Sequence, residues 1–260
     1  MIVRRPPREE AIRLNASKKY PLPEDERRAL VSNMVLTDVV LLVIGVVLAA
    51  LAYGLTTLNW ADAFLKLAWA GSLTTMLTPH WAMVALPAAL IVVFEAVDRL
   101  MWKRSSDYRE DVMEIRQGMN GELPRLGVGQ LAALLALVGI AEEFALRFGL
   151  LKLAWAAFDL IAPGPLSAAA AILLQAGVFM LMHNQYDRAW SLLAVFGIGA
   201  VFGVVFMLTS SLLTVIVAHF LYDFGDILLE RRRMETDPDY FAGKVPTRAV
   251  LDLMDQAEQR

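Results

Sequence analysis

The stretch "GIAEEFALRFGL", residues 139–150, lies in one of the most apolar regions of the chain and still carries Glu142, Glu143 and Arg147. Ionisable side chains at membrane depth are expensive, and those that persist there commonly mark a working site. Whether this stretch is a membrane helix therefore decides the fold and where to look for chemistry. Its surroundings favour the membrane. The chain has 260 residues, 57% of them hydrophobic, with a mean hydropathy of +0.51, values that few soluble domains of this length reach. About 20 apolar residues cross a bilayer as a helix, and residues 129–154 form one such run. Five others qualify: 35–55, 80–98, 166–183, 190–208 and 211–229.

Lipid offers no hydrogen bonds to a bare backbone, so these runs read as helices rather than as an open sheet. The expected fold class is all-α, a multi-pass membrane helical bundle of about six transmembrane helices plus short interfacial helices. Residues 62–77 ("DAFLKLAWAGSLTTML") are too short for a span and hold Lys66; they predict an interfacial or re-entrant helix, with Trp60, Trp69 and Trp81 at headgroup level. Residues 129–162 stay apolar for longer than one crossing needs, and a kink or a surface-lying continuation there would alter the local topology. The glycines Gly177, Gly197, Gly199 and Gly203 suit close helix packing.

Basic residues set the orientation. Eight Lys and Arg precede residue 30, six lie between Arg99 and Arg125, Arg188 sits in the turn "NQYDRA", and six follow residue 230. Such residues prefer the cytoplasmic side, so a cell-membrane protein with both termini cytoplasmic is expected, and six spans agree with that parity. The organisation that follows is a cytosolic basic segment (1–34), two N-terminal spans with interfacial and cytosolic loops (35–128), a helical core (129–229) and a cytosolic tail (230–260). A helix should start at "PEDERRALVS" (23–32). Residues 105–119 open with serine caps and read as an amphipathic surface helix, and residues 246–258 look similar. The polar, basic N-terminus has no signal-peptide core, so the first span is expected to act as the targeting signal. With no cysteine in the chain, disulfides and thiolate metal sites are excluded. The bilayer is the evident partner, and no nucleic-acid partner is expected.

The chain has three histidines, His80, His183 and His219. His183 and His219 fall in apolar runs, and they accompany the Glu142–Glu143 pair and Asp223 in three of the last four spans. Glu143 and Arg147 are four apart and share a helix face, which reads as a buried ion pair fixing helix register. Glu142 is rotated from Glu143 by about 100° and can meet a different partner. His219 and Asp223 are again four apart, and Phe179 stands one turn before His183 and is expected to pack behind it. A helical bundle can gather Glu142, His183, His219 and Asp223 from three helices. A poorly solvated Glu142 could activate water as a general base with His183 relaying the proton, and a second histidine could stabilise an oxyanion. Alternatively, the two histidines with one or two carboxylates could hold a divalent metal such as zinc and leave a position for water. Both schemes hydrolyse a carbonyl bond. The zinc motif HExxH is absent, and Asp223 and Asp226 lie three apart on one helix, unlike an aspartyl pair on separate helices.

In order along the chain, "EEFALR" fits EExxxR, "FMLMH" fits FxxxH and "HFLYD" fits HxxxN/D. This ordered triple resembles the CPBP family of intramembrane endopeptidases, the Rce1-like group of CAAX proteases and bacterial homologues, over about residues 129–229. The resemblance implies that Glu142 with His183 activates water, that His219 with residue 223 stabilises the oxyanion, and that Glu143, Arg147 and Phe179 support them. It also implies a membrane-associated protein or peptide substrate presented from the cytosolic side; family members have also been called metalloproteases. One position departs from the prenyl protease pattern. Asp223 stands where an asparagine is usual, and an ionised aspartate cannot donate a hydrogen bond to an oxyanion. Two other classes stay open at this point: a membrane scaffold or immunity-type protein without turnover, and a transporter using the buried acid–histidine cluster as a proton or ion relay.

Overall fold

The computed structural model describes residues 22–57, 75–116, 119–183 and 189–236, which form helices and, among the described residues, no strand. The main helices are α1 (Glu24–Thr57), α2 (Ala82–Arg104), α3 (Ser106–Arg116), α4 (Val128–Glu143), α5 (Lys152–Asp159), α6 (Pro165–Met182), α7 (Ala189–Thr209) and α8 (Leu212–Thr236); short helical turns at Met119–Glu122 and Leu123–Arg125 precede α4, and a π-helical segment (Phe144–Leu151) joins α4 to α5. The all-α reading holds. By length and composition, α1, α6, α7 and most of α8 can each cross a membrane. The other two expected spans are helical but less regular. Helix α2 carries Glu95, Asp98 and Arg99, and α4 ends after 16 residues where the π-helix begins. The count of about six is therefore approximate. The predicted helices at 62–77 (save its last turn) and 246–258, Trp60, Trp69 and the turn holding Arg188 lie outside the described residues.

Local chemistry explains several helix ends. Helix α1 starts where the acidic residues Glu24, Asp25 and Glu26 meet the positive end of the helix dipole, and it continues without a break into the first apolar run. Ser105 caps α3, its hydroxyl accepting the Tyr108 N–H at 3.1 Å, as its serine predicted. Between α5 and α6, Asp159 accepts the Gly164 N–H and the Ser167 hydroxyl. Gly164 takes φ 106°, a left-handed conformation that favours glycine, and Pro165 then opens α6.

Contacts give the helix directions. Leu41 packs on Ala141 and Ala145, and Gly45 and Leu48 meet Ala145 and Gly149, so α1 runs parallel to α4 and its π-helical continuation. Thr214 accepts the His80 N–H, Ile91 lies over Gly225 and Asp98 reaches Arg233, so α2 and α8 are also parallel. Helices α6 and α7 are antiparallel, with Gly199 against Phe179 and Gly203 against Gln175. The directions alternate along the chain, as successive crossings require. The start of α1, the α2–α4 connection, the α6–α7 turn and the end of α8 accordingly share one end of the bundle. Arg231 ties that end together, donating to the Pro124 and Leu126 carbonyls ahead of α4.

Two of the four glycines read as packing positions serve that purpose: Gly199 and Gly203 touch α6, whereas Gly177 and Gly197 have nothing within 4 Å. The tighter crossing lies elsewhere. A Cβ on Gly45 would stand 2.7 Å from Phe144 and 2.9 Å from the Ala145 backbone. Replacing Gly45 with alanine should therefore cost about 1–3 kcal/mol by overpacking. Gly177→Ala, with open space around it, should be neutral or stabilising by up to about 1 kcal/mol. Thermal unfolding of the two variants in detergent checks this; equal melting temperatures would refute the tight crossing.

Candidate active site

Helix α4 presents Glu142 and Glu143 next to each other, and the helical turn sends them to different partners. Glu143 is fully buried and points between Arg147 and His219. Its Oε1 lies 3.1 Å from Arg147 Nη1 and 2.7 Å from His219 Nδ1. Arg147, equally buried, has its guanidinium over the rings of Phe179 at 4.9 Å and Phe202 at 5.5 Å. Such stacking suits a weakly hydrated, planar cation. The expected Glu143–Arg147 pair is present, but it extends one step further, to His219.

That step orients the histidine. With Nδ1–H donating to Glu143, the His219 ring turns Nε2 toward Asp223 Oδ2 at 3.2 Å and Glu142 Oε2 at 3.8 Å. Phe202 and Phe179 flank the ring at 5.4 and 6.4 Å between centroids. Carboxylate oxygens face both ring nitrogens, and this arrangement is fully hydrogen-bonded only when both nitrogens carry hydrogens. Glu142 is 14% exposed and Asp223 25%, so these two acids border the open side of the cluster while Glu143 and Arg147 back it.

His183 terminates α6. Its Nδ1 lies 2.8 Å from the Phe179 carbonyl, one of the last-turn groups that a helix leaves unpaired, and its ring meets the Phe179 ring edge-on at 4.4 Å. Donation from Nδ1 to that carbonyl sets Nε2 as the outward nitrogen. Phe179 thus touches His183, Arg147 and, more distantly, His219. Glu142 lies within Coulombic reach of His219, His183, Asp223 and Arg147. The structure therefore gathers Glu142, His183, His219 and Asp223 around one centre. His80 stands apart, at the start of α2, where its backbone N–H meets Thr214.

The depth of the centre follows from where helices stop. Helix α6 ends at the level of Glu142 and His219, whereas α4 begins at Val128 and α8 continues from His219 to Thr236. At 1.5 Å per residue these helices extend roughly 20 Å beyond the centre. Helix α6 ends and α7 begins on the side of the bundle end where basic residues concentrate.

Sequence reasoning missed two features. The first is the Glu143–His219 contact: four-residue spacing pairs Glu143 with Arg147 but carries no information about a partner on another helix. The second is Asp38, on α1, which is 4% exposed and senses the charge of Glu142. Asp38 sits in "VLTDVVLLV" (35–43), a lone acid in an apolar run, so the rule that singled out residues 142–147 applies to it equally. As for metal, no group of three or more His, Asp or Glu side chains among the described residues stands at metal-ligand spacing. The alternative that Glu142, His183, His219 and Asp223 hold zinc thus has no formed ligand cluster behind it.

Fold and centre together define a polytopic helical membrane protein with a buried acid–histidine site. Residues 124–225 match the family model described as type II CAAX prenyl endopeptidase Rce1-like, which bears out the resemblance carried by the three motifs over that segment. The matched segment contains Glu142, Glu143, Arg147, Phe179, His183, His219 and Asp223, and excludes α1 and α2. No curated protein and no solved structure matches the chain. The Rce1-like family is a protease family whose members act on membrane-associated proteins.

Because Glu143 and Arg147 are both fully buried, removing one strands the other's charge. Arg147→Met should destabilise the fold by about 3–5 kcal/mol. Glu142→Gln, at the open side of the cluster, should change stability by less than about 1 kcal/mol. Denaturant titration in detergent separates the two; equal losses would contradict the division between a supporting and a working carboxylate.

Proposed function

We propose that this protein is an intramembrane endopeptidase that hydrolyses a peptide bond of a membrane-associated protein or peptide. The observation that carries the reading is the convergence of Glu142, His183, His219 and Asp223 within the segment that matches the Rce1-like family model, with Glu142 and Asp223 partly exposed. A ring held by Glu143 on one nitrogen and turned to the centre on the other is what an oriented catalytic histidine requires.

In the proposed reaction, a substrate carbonyl enters from the partly exposed side and a water lies between Glu142 and His183. Glu142 removes a proton from the water as its oxygen attacks the carbonyl carbon. The carbonyl π electrons move to oxygen, and the oxyanion is stabilised by the His219 Nε2–H. Glu142 then returns the proton to the leaving amine as the C–N bond breaks. Asp223, an acceptor, cannot contact the oxyanion as a carboxylate; it accepts the His219 Nε2–H before the attack and yields it to the oxyanion as the carbonyl oxygen gains charge. An asparagine at 223 would instead donate directly. Arg147 and Glu143 support His219 and keep it from rotating. The end of the bundle where the basic segments gather is taken to face the cytoplasm.

Membranes containing wild-type protein should yield peptide termini that are absent with Glu142→Gln at matched folded amount, since loss of a general base lowers turnover by about 10²–10⁴-fold. Identical termini in both membranes would exclude proteolysis and leave scaffold or transport. Once a substrate is in hand, Asp223→Asn should keep kcat within about tenfold of wild type, because the amide replaces a positioning contact with a direct donor, whereas Asp223→Leu should lose about 10²-fold or more. An Asn variant as inactive as the Leu variant would overturn the role given to this side chain.

A further inference from the structure

Helix α7 carries no ionisable side chain between Ala189 and Thr209, and none of the three motifs falls on it. It still reaches the centre, through Phe202. Gly199 and Gly203 bring α7 close to α6: a Cβ on Gly199 would stand 2.9 Å from the Phe179 ring, and one on Gly203 2.9 Å from Gln175 Oε1. That crossing seats Phe202, only 1% exposed, beside residues that the motifs supply. Arg147 Cζ lies 5.5 Å from the Phe202 ring centroid and 4.9 Å from that of Phe179. The His219 ring lies 5.4 Å from Phe202, tilted by 51°, and 6.4 Å from Phe179. Two aromatic rings from two helices thus meet the same guanidinium and the same imidazole.

The guanidinium needs that hold. It is fully buried, Nη1 meets Glu143, and Nε and Nη2 have no hydrogen-bond partner among the described residues. A planar cation tied at one nitrogen can swing about that contact, whereas ring faces packed on it restrict its plane and attract it through their quadrupoles. The plane matters because one oxygen serves two partners: Glu143 Oε1 lies 3.1 Å from Arg147 Nη1 and 2.7 Å from His219 Nδ1. A guanidinium that swings draws the carboxylate with it, and the histidine follows. Truncating Phe202 also leaves a cavity beside the imidazole, into which that ring can tilt. We propose that Phe202 is a positioning residue of the centre: together with Phe179 it holds the Arg147 guanidinium, and it backs the His219 ring so that Nε2 keeps its aim. Helix α7 thereby contributes to a centre whose other members come from α4, the π-helical segment, α6 and α8. Phe206, one turn further along α7 and buried in the same apolar cluster, faces Lys152 instead, at 5.9 Å. It serves as the control for packing alone.

The consequence for turnover rests on the protease reading; the hold on Arg147 does not, and the test separates them. Nitrogen NMR of the arginine-labelled full chain in bilayers gives the order parameter of the Arg147 Nε–H, the signal being assigned by its loss in Arg147→Lys. In the wild type it should match rigid backbone, about 0.85, and in Phe202→Leu fall below about 0.6, with Phe206→Leu leaving it unchanged. Phe202→Met, which fills the same space with a flexible chain, takes the place of the leucine variant if that variant does not fold. An order parameter indifferent to Phe202 overturns the proposal whether or not the chain cleaves. The same preparations are assayed for cleavage at matched folded amount, with Glu142→Gln added. Phe202→Leu should lose about tenfold to a hundredfold in kcat with KM within about twofold, the signature of a misplaced catalytic group, and Phe206→Leu should stay within about twofold in both. A Phe202→Leu variant that matches wild type in kcat while Glu142→Gln is inactive overturns the proposal, as do equal losses in the two leucine variants. If no cleavage depends on Glu142, the protease reading fails, and the order parameter still decides whether Phe202 holds the guanidinium.

Discussion

The Arg147–Glu143–His219 chain is the interaction on which the rest of this structure depends. It joins the π-helical segment, α4 and α8 through two short contacts centred on one carboxylate oxygen. In a site closed to water, an ion pair of this kind adds little net stability, because desolvation offsets most of the attraction. Its physical effect is directional. A histidine bound at Nδ1 cannot flip, so Nε2 faces Glu142 and Asp223 and the centre has one arrangement rather than several.

Everything around the chain makes that burial sustainable. Phe179 and Phe202 cover the guanidinium, and Phe179 also supplies the carbonyl that orients His183. Gly45 and Gly149 let α1 lie directly on the π-helical segment, closing the cluster from behind. Departure from α-helical hydrogen bonding begins at Phe144, immediately after the two glutamates, and π-helical stretches of this kind occur frequently at functional sites. Glu142 and Asp223 keep part of their surface exposed on the other side. The fold thus separates a dry, packed back from an accessible front, and the two glutamates face one each.

Much of this was legible in the sequence because membrane helices announce themselves by length and hydropathy, and because charged residues within them are conspicuous. The spacing of Glu143 with Arg147 and of His219 with Asp223 placed each pair on a common helix face. What spacing cannot report is which faces of different helices meet, so the contact between Glu143 and His219 emerged only from the packing of α4 on α8. Asp38 was readable by the same rule as Glu142 but stood outside the three motifs, and motifs draw attention to their own residues. The span at 129–154 looked uniform because a π-helical segment keeps the apolar composition of the helices around it. Likewise, a glycine such as Gly177 looks the same in sequence whether it faces a neighbour or lipid.

The most direct test of the oriented histidine is nitrogen NMR of ring-labelled protein in bilayers, in a chain with only three histidines. For His219 the expected result is a protonated Nδ1 hydrogen-bonded to a carboxylate, with that signature lost in Glu143→Gln and retained in Glu142→Gln. An unprotonated Nδ1, or a spectrum indifferent to Glu143, would contradict the view that the buried ion pair exists to aim this ring at the centre.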